Sequence, residues 1–169
     1  MEIEEFRKQF IDELRFNAEH EGTEPETQFI EKILNDLEDI GELNDPIPMS
    51  VEMRGSRNRI LAFDAYAYDE ADGALVLIAS DFTNQRDTAP TLTNTRIEEL
   101  YGRMLNFVEE SVQGNISKYC DDSDPALLIA NEFRKKIGKG MLSTEILRFK
   151  FFIISNATLS KQVKNLSKP

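Results

Sequence analysis

The sequence has very few of the side chains from which metal and redox sites are commonly built. Its single cysteine, Cys120, cannot form an internal disulfide, and its single histidine, His20, cannot build a zinc cluster. A catalytic cysteine–histidine pair would need these two residues to meet, and both lie on polar stretches typical of bystanders. Apolar runs stay short of the roughly 18 residues that a membrane helix needs. The acidic, amphipathic N-terminus is not a signal peptide, so we expect a cytoplasmic protein with no membrane partner.

Basic side chains are scarce at one end of the chain, and acidic side chains are scarce at the other. Residues 1–50 carry 15 acidic and four basic side chains, whereas residues 133–169 carry nine Lys or Arg with Glu145 as their one acid. The net charge of −11 argues against a surface generally coated by nucleic acid. The basic end could still form a local phosphate-binding face. Its candidate nucleic-acid ligands are Lys135, Lys136 and Lys139. The alternatives are that the two ends meet within one subunit or between subunits, which leaves self-association open, or that both are simply solvated surface.

Apolar residues follow helical spacing in some segments and strand-like patterns in others. Helical patterns cover residues 2–20, a segment that starts after Thr23, residues 92–112 and residues 125–137; strand patterns cover residues 47–53, 59–68, 74–82 and 145–155. This order predicts an α/β domain with a mixed sheet. We expect an N-terminal amphipathic helix at residues 1–22, followed by the domain itself at residues 23–169.

The end of the chain supports further predictions. The unbroken apolar run at residues 145–155 is typical of a strand covered on both faces. The stretch "NATLSKQVKNLSKP" that follows begins with a helical pattern and ends in lysines. A lysine-rich end so soon after a strand predicts that the sequence is the N-terminal piece of a longer protein. The missing C-terminal region is then one expected partner.

Two aspartates lie inside the apolar strands that flank Asp72-Gly73, the strongest hairpin signal in the chain. If these two are the central turn residues, Asp64 lies opposite Asp81. If the loop is residues 70–73, Asp64 faces Ala79 and Asp81 is diagonal to it. Both registers predict the two aspartates on one face, because side chains along a strand alternate with period two. Their repulsion would be relieved by Mg²⁺ or by exposure at a sheet edge.

A third carboxylate, Glu26, has two interpretations. Thr23 followed three residues later by Glu26 is the capping-box pattern at the start of a helix. Glu26 also falls inside the apolar stripe of that helix at 100° per residue. From there it could join Asp64 and Asp81 as a third metal ligand.

The hairpin and the last strand resemble a known family. In "FDAYAYDEADGALVLIASDF", the Asp-bearing strand, the acidic turn and the following apolar strand are similar to the N-terminal domain of abortive-infection phage-resistance (AIPR) proteins, where that last strand reads "LIQ-x-K-[YF]". "RFKFFIISNATLS" is similar to the later strand and "[TS]NA/G" corner of that family. The resemblance spans roughly residues 25–165. It implies a restriction-endonuclease-like fold with an αβββαβ core and a bacterial phage-defence role.

The departures from the family pattern concern its chemistry. The resemblance makes Asp64 the catalytic aspartate of a metal-dependent nuclease, but the family's Gln or acidic position falls on Ala79 and its lysine position falls on Asp81. In such nucleases the carboxylates hold the metal and the lysine helps to position or deprotonate the attacking water. We therefore expect a degenerate site in a domain that serves as a platform for nucleic acid or another partner. The alternative is a divergent nuclease whose Mg²⁺ is held by Glu26, Asp64 and Asp81.

Overall fold

The structure is a computed structural model that describes residues 2–138 and 145–160. Its helices are α1 (Ile3–Glu21), α2 (Pro25–Asp39), α3 (Asn94–Gln113) and α4 (Pro125–Ile137). Its strands are β1 (Ile47–Arg54), β2 (Ile60–Asp69), β3 (Ala74–Asp81), β4 (Thr91–Leu92), β5 (Arg148–Ser155) and β6 (Thr158–Leu159). The predicted α/β class and the N-terminal helix are confirmed.

The main sheet is mixed and has the strand order β1-β2-β3-β5. The first three strands form an antiparallel meander, and β5 joins it parallel to β3. Helices α3 and α4 make the long connection between those two parallel strands, as a parallel pair requires. The short strands β4 and β6 form a separate parallel pair. The predicted hairpin is therefore confirmed and lies in the middle of the sheet.

Apolar side chains cover both faces of this sheet. One face packs against α3 and α4 around the aromatic rings of Phe63, Phe107 and Phe133. The other face packs against α1 and α2 through residues such as Leu14 and Phe29. Strand β3 lies between these two layers, and all its residues except the last are buried. In the part of the chain that the structure describes, no helix has the length and hydropathy to cross a membrane.

Helix α4 begins as the sequence predicts, whereas the start of α2 differs. The Asp124 side chain accepts a hydrogen bond from the backbone N–H of Ala126 and so caps α4. The predicted capping box of α2 is wrong. That helix begins at Pro25 with Glu24 as its cap residue, and no side-chain hydrogen bond caps it. Pro25 accounts for this start, because its fixed φ and missing N–H suit the first helical position.

One prediction for the end of the chain holds in part, and another is wrong. The side chains of β5 pack on both faces of the sheet, with Phe151 and Ile153 against one core and Phe152 and Ile154 against the other. The strand is nevertheless an edge strand, and Ile154 is its one buried residue. The expected helix after it does not begin at Asn156, because Thr158 and Leu159 form β6 beside β4. Residues 161–169, and Lys139 with the rest of 139–144, lie outside the described residues.

Candidate carboxylate cleft

The hairpin follows one of the two predicted registers. Asp69 pairs with Ala74, and the ladder continues to Ala65 opposite Ile78. The loop is therefore residues 70–73, which is the register that aligns Asp64 with Ala79 and leaves Asp81 diagonal. The described ladder ends before Asp64, so β2 and β3 separate at this point.

Asp64 completes the hairpin where the backbone ladder stops. Its Oδ2 accepts a hydrogen bond of 2.7 Å from the backbone N–H of Ser80, which is a buried residue. Its Oδ1 accepts a longer hydrogen bond of 3.4 Å from the Ser50 hydroxyl. Ser50 lies in an irregularity of β1 between Pro48 and Val51. A side-chain oxygen thus takes the place of a strand carbonyl, which explains a carboxylate inside an apolar strand.

The regular alternation of β2 breaks at the same point. The ring of Phe63 lies 6.3 Å from that of Phe133, and the ring of Tyr66 lies 5.6 Å from it. Residues three apart along a regular strand would point to opposite faces. The period-two argument that predicted Asp64 and Asp81 on one face therefore does not hold across this irregularity.

A cleft of about 140 Å³ opens where the strands separate. Its polar lining consists of Glu26, Ser50, Glu52, Asp64, Ser80, Arg96 and Arg103. Helix α2 supplies Glu26, whose Oε1 accepts a hydrogen bond of 3.4 Å from the Ser80 hydroxyl. Two of the three predicted carboxylates, Glu26 and Asp64, thus share one cleft and share Ser80 as a hydrogen-bond donor.

Burial makes both of these carboxylates weaker acids than usual. Burial raises the pKa of Asp64, although hydrogen bonds from Ser80 and Ser50 act in the opposite direction. Burial also raises the pKa of Glu26, and the negative charge of Asp64 raises it further. Desolvation disfavours the charged form of an acid, and a neighbouring like charge does the same. The carboxyl groups of Glu26 and Asp64 therefore release their protons at higher pH than isolated carboxyl groups would.

The third predicted carboxylate, Asp81, has different partners. Its Oδ1 accepts a hydrogen bond of 3.0 Å from the Arg96 Nε, and its Oδ2 accepts one of 3.0 Å from the Ser155 hydroxyl. Arg96 comes from α3 and also pairs with Glu99. Asp81 is thus held by an arginine and a serine from the elements on either side of it.

The residues present do not fit a divalent metal. No group of three or more His, Cys, Asp or Glu in residues 2–138 and 145–160 could hold a metal ion. Both oxygens of Asp64 and both oxygens of Asp81 already accept hydrogen bonds from protein groups. Mg²⁺ demands near-octahedral oxygen coordination, and Ala79 offers no side-chain oxygen between the two aspartates. We therefore derive no chemistry through a metal at this cleft.

The predicted phosphate-binding lysines lie elsewhere. Lys136 Nζ lies 3.2 Å from a carboxylate oxygen of Glu145 and 4.6 Å from the centre of the Tyr68 ring. Lys135 is exposed at the end of α4, and Lys139 lies outside the described residues. The basic side chains of β5 are paired as well. Lys150 lies 2.8 Å from carboxylate oxygens of Asp69 and Asp72.

Several polar residues of the cleft were not predicted from the sequence. Arg96 and Arg103 lie seven residues apart on α3, with Leu100 between them on the same helix face. That spacing was a usable signal, because positions i, i+4 and i+7 align along a helix. Ser50 and Ser80 carried no signal, since their roles depend on the irregularity of β1 and on the separation of β2 from β3.

The comparisons with known proteins agree with the hairpin resemblance. A sequence model described as the abortive infection phage resistance protein N-terminal domain matches residues 29–168. No curated protein and no solved structure matches the chain. The match covers most of the sequence, including every strand and α3 and α4. The chain therefore belongs to the family of abortive infection phage resistance protein N-terminal domains, which points to a role in phage defence.

Proposed function

We propose that this domain is a restriction-endonuclease-like fold that no longer cleaves nucleic acid and that serves in the cytoplasm as a binding platform for abortive infection. The observation that carries the proposal is the state of Asp81. It stands where the resembled family has a lysine, and an arginine from α3 holds it in an ion pair.

Phosphodiester cleavage at such a site needs two things that these residues do not offer. A metal needs several ligands directed at one point, whereas Asp81 is directed at Arg96 and Ser155 and no cluster of three such ligands forms among the described residues. The attacking water needs a cation or base directed at it, whereas Arg96 is directed at Asp81 and Glu99. What remains is a polar cleft next to a well-packed sheet, which suits binding better than catalysis.

The test is a cleavage assay on the purified protein with Mg²⁺ or Mn²⁺ and labelled DNA and RNA. We expect no cleavage above that of an Asp64→Asn control. A triple variant, Ala79→Glu, Asp81→Lys and Arg96→Gln, restores the family's ligand and cation, and the third change removes the arginine that would otherwise repel the new lysine. Weak metal-dependent cleavage by this variant would support descent from a nuclease.

A divergent nuclease is the second candidate, and one observation favours it. Arg96 and Arg103 of α3 line the same cleft as three carboxylates, which are those of Glu26, Glu52 and Asp64. In that case the wild type cleaves in the presence of metal, and Asp64→Asn and Arg103→Gln each abolish cleavage. Such a result would exclude the non-catalytic proposal.

The binding half of the proposal has a separate readout. A platform binds its target equally well with EDTA and with Mg²⁺, because no metal takes part. A fluorescence-anisotropy titration with DNA and RNA duplexes in both buffers checks this for nucleic acid. Binding that requires the metal would instead favour the nuclease candidate.

A further inference from the structure

The two edges of the main sheet are built differently. Strand β1 contains Pro48, and its pairing with β2 is irregular between Pro48 and Val51. Prolines and bulges are devices by which proteins keep a sheet edge from pairing with another chain. Strand β5 contains no proline, and it pairs with β3 in unbroken register over all eight of its residues. In the part of the chain that the structure describes, no strand lies on its outer side.

The outer strand is also unusually apolar for an edge. Phe149 is 39% exposed, and its ring stacks on that of Phe151 at 6.4 Å. Phe151 meets Tyr101 of α3 edge to face at 5.1 Å, and Tyr101 is itself 44% exposed. Together with Leu147, which is 75% exposed, these side chains form an aromatic patch along the edge. A long, regular and apolar edge strand is a pairing site.

The charges that could block such pairing are compensated inside the subunit. Lys150 lies 2.8 Å from carboxylate oxygens of Asp69 and Asp72, and Arg148 lies 3.5 Å from Asp72. An unpaired lysine on an edge strand opposes pairing because its charge would be buried. The acidic loop of the hairpin draws these two side chains toward it.

We propose that β5 pairs in antiparallel register with β5 of a second copy of this chain, with Phe151 at the two-fold axis. A two-fold interface places the same patch of each copy against the other. This register sets Phe149 opposite Ile153 of the second copy and Phe151 opposite its counterpart. It also keeps the two Lys150 side chains from lying opposite each other. The result is one continuous eight-stranded sheet.

The second copy is favoured as occupant because the strand is self-complementary and the other edge is blocked. Phe149, Phe151 and Ile153 are evenly spaced about the central Phe151, so reversal of the strand restores an apolar row. Pairing of β5 with β1 of another copy would build an open chain of subunits, and the irregular β1 edge disfavours it. The association therefore closes at two subunits.

The main test compares two phenylalanine-to-lysine variants by sedimentation equilibrium. The wild type is expected at twice the mass of one chain. Phe149→Lys places a charge inside the pairing strand of both copies and should weaken the dimer by about a hundredfold, since each buried charge costs well over tenfold. Phe6→Lys is the matched control, because Phe6 is 60% exposed on α1 and lies outside the patch. It should leave the dimer unchanged.

A cross-link tests the register and does not depend on the stability of a lysine variant. Directly opposed residues of antiparallel strands have Cα atoms about 4.5–5.5 Å apart, within the range that a disulfide spans. In a Cys120→Ser background, Phe151→Cys should form a covalent dimer on mild oxidation. Leu128→Cys, at an exposed position of α4, should not.

Three results would overturn the proposal. One is a wild type that remains monomeric at every concentration tested. In that case the β5 edge would pair with a segment of another protein instead. A second is a dimer that Phe149→Lys and Phe6→Lys affect equally. The third is a dimer in which Phe151→Cys cross-links no better than Leu128→Cys.

Discussion

The carboxylates at the two ends of the β2–β3 hairpin behave in opposite ways. At the loop end, the hydrogen bond from Lys150 lowers the pKa of both Asp69 and Asp72. At the far end, burial raises the pKa of Asp64 and of Glu26 beside it. The two ends of β3 lie about 23 Å apart. Residues of one kind on one hairpin thus become stronger or weaker acids according to their neighbours.

The difference separates two roles that the sequence could not tell apart. At the loop end, acids meet the basic side chains of β5 and tie that strand to the hairpin. At the cleft end, Asp64 accepts a hydrogen bond from the backbone of β3 beyond the last paired residues of the β2–β3 ladder. That role needs an acceptor oxygen and does not need a negative charge. The first group acts through its charge, whereas Asp64 acts through its oxygen lone pairs.

The largest effect is expected from removal of the Asp64 side chain. Asp64→Ala leaves the buried backbone N–H of Ser80 without an acceptor, which costs about 1–3 kcal/mol. We expect the free energy of unfolding to fall by that amount in urea titrations at neutral pH. Asp64→Asn keeps an acceptor oxygen and should lose much less. Equal losses in the two variants would show that the charge of Asp64, rather than its lone pairs, stabilises the hairpin.

Loss of the cation at the loop end should have a smaller effect that depends on pH. A depressed pKa contributes stability above the unfolded-state pKa, and that stability disappears as the pH falls through the folded-state pKa. Lys150→Met should therefore destabilise the protein at neutral pH and match the wild type at strongly acidic pH. Urea midpoints of the two proteins between neutral pH and about pH 2 measure the difference, since unperturbed aspartate has a pKa of about 3.9 and the folded-state values lie below it. A constant difference over that range would contradict the ion-pair explanation.

The cleft end should show the reverse dependence. A raised acid pKa means that the folded state binds its proton more tightly, so stability relative to a neutral analogue is greatest at low pH and declines as the pH rises through the folded-state pKa. Compared with Asp64→Asn, the wild type should therefore gain stability on acidification from neutral pH to about pH 4. The readout is again the urea midpoint of both proteins. A wild type that loses stability relative to Asp64→Asn over this range would refute the burial argument.

The smallest effect is expected at the predicted phosphate-binding lysines. Neutralisation of Lys135, Lys136 and Lys139 together should weaken any binding to duplex DNA and flatten its salt dependence, by at most about 0.9 in slope for each phosphate that the protein no longer neutralises. Lys136 should contribute little, because Glu145 and Tyr68 already engage it. Anisotropy titrations at several salt concentrations give the slope, with Lys32→Gln on α2 as the control. If the wild type does not bind at low salt, this domain is not a nucleic-acid platform.

Helices α1 to α4 and the four strands of the main sheet could be predicted because each depends on local spacing, whereas the two-residue strands β4 and β6 could not. The apolar periodicity of α1 and α3 and the Asp124-Pro125 start of α4 are properties of a few neighbouring residues. The hairpin signal at Asp72-Gly73 left two registers open, because the dipeptide suits both a two-residue and a longer loop. Contacts made across the sheet decided between them.

The site could be predicted only in part, for reasons of tertiary structure. Glu26 and Asp64 meet because α2 packs over the point where β2 leaves β3, and no pattern in the sequence marks that point. The ion pair of Asp81 with Arg96 spans a strand and a helix in the same way. The apolar run of β5 predicts a strand buried inside one subunit. Its exposed edge instead fits a strand that a second subunit covers, as proposed above.

The parallel pairing of β3 with β5 also affects synthesis of the chain. Ala74 pairs with Arg148, which is 74 residues later in the sequence. At about 5–20 residues per second, the ribosome needs roughly 4–15 s to make the intervening segment. During that interval β3, the most thoroughly buried strand of the sheet, has one edge without its partner. In nascent chains, this edge of β3 therefore stays open to pairing with other chains until β5 has been made.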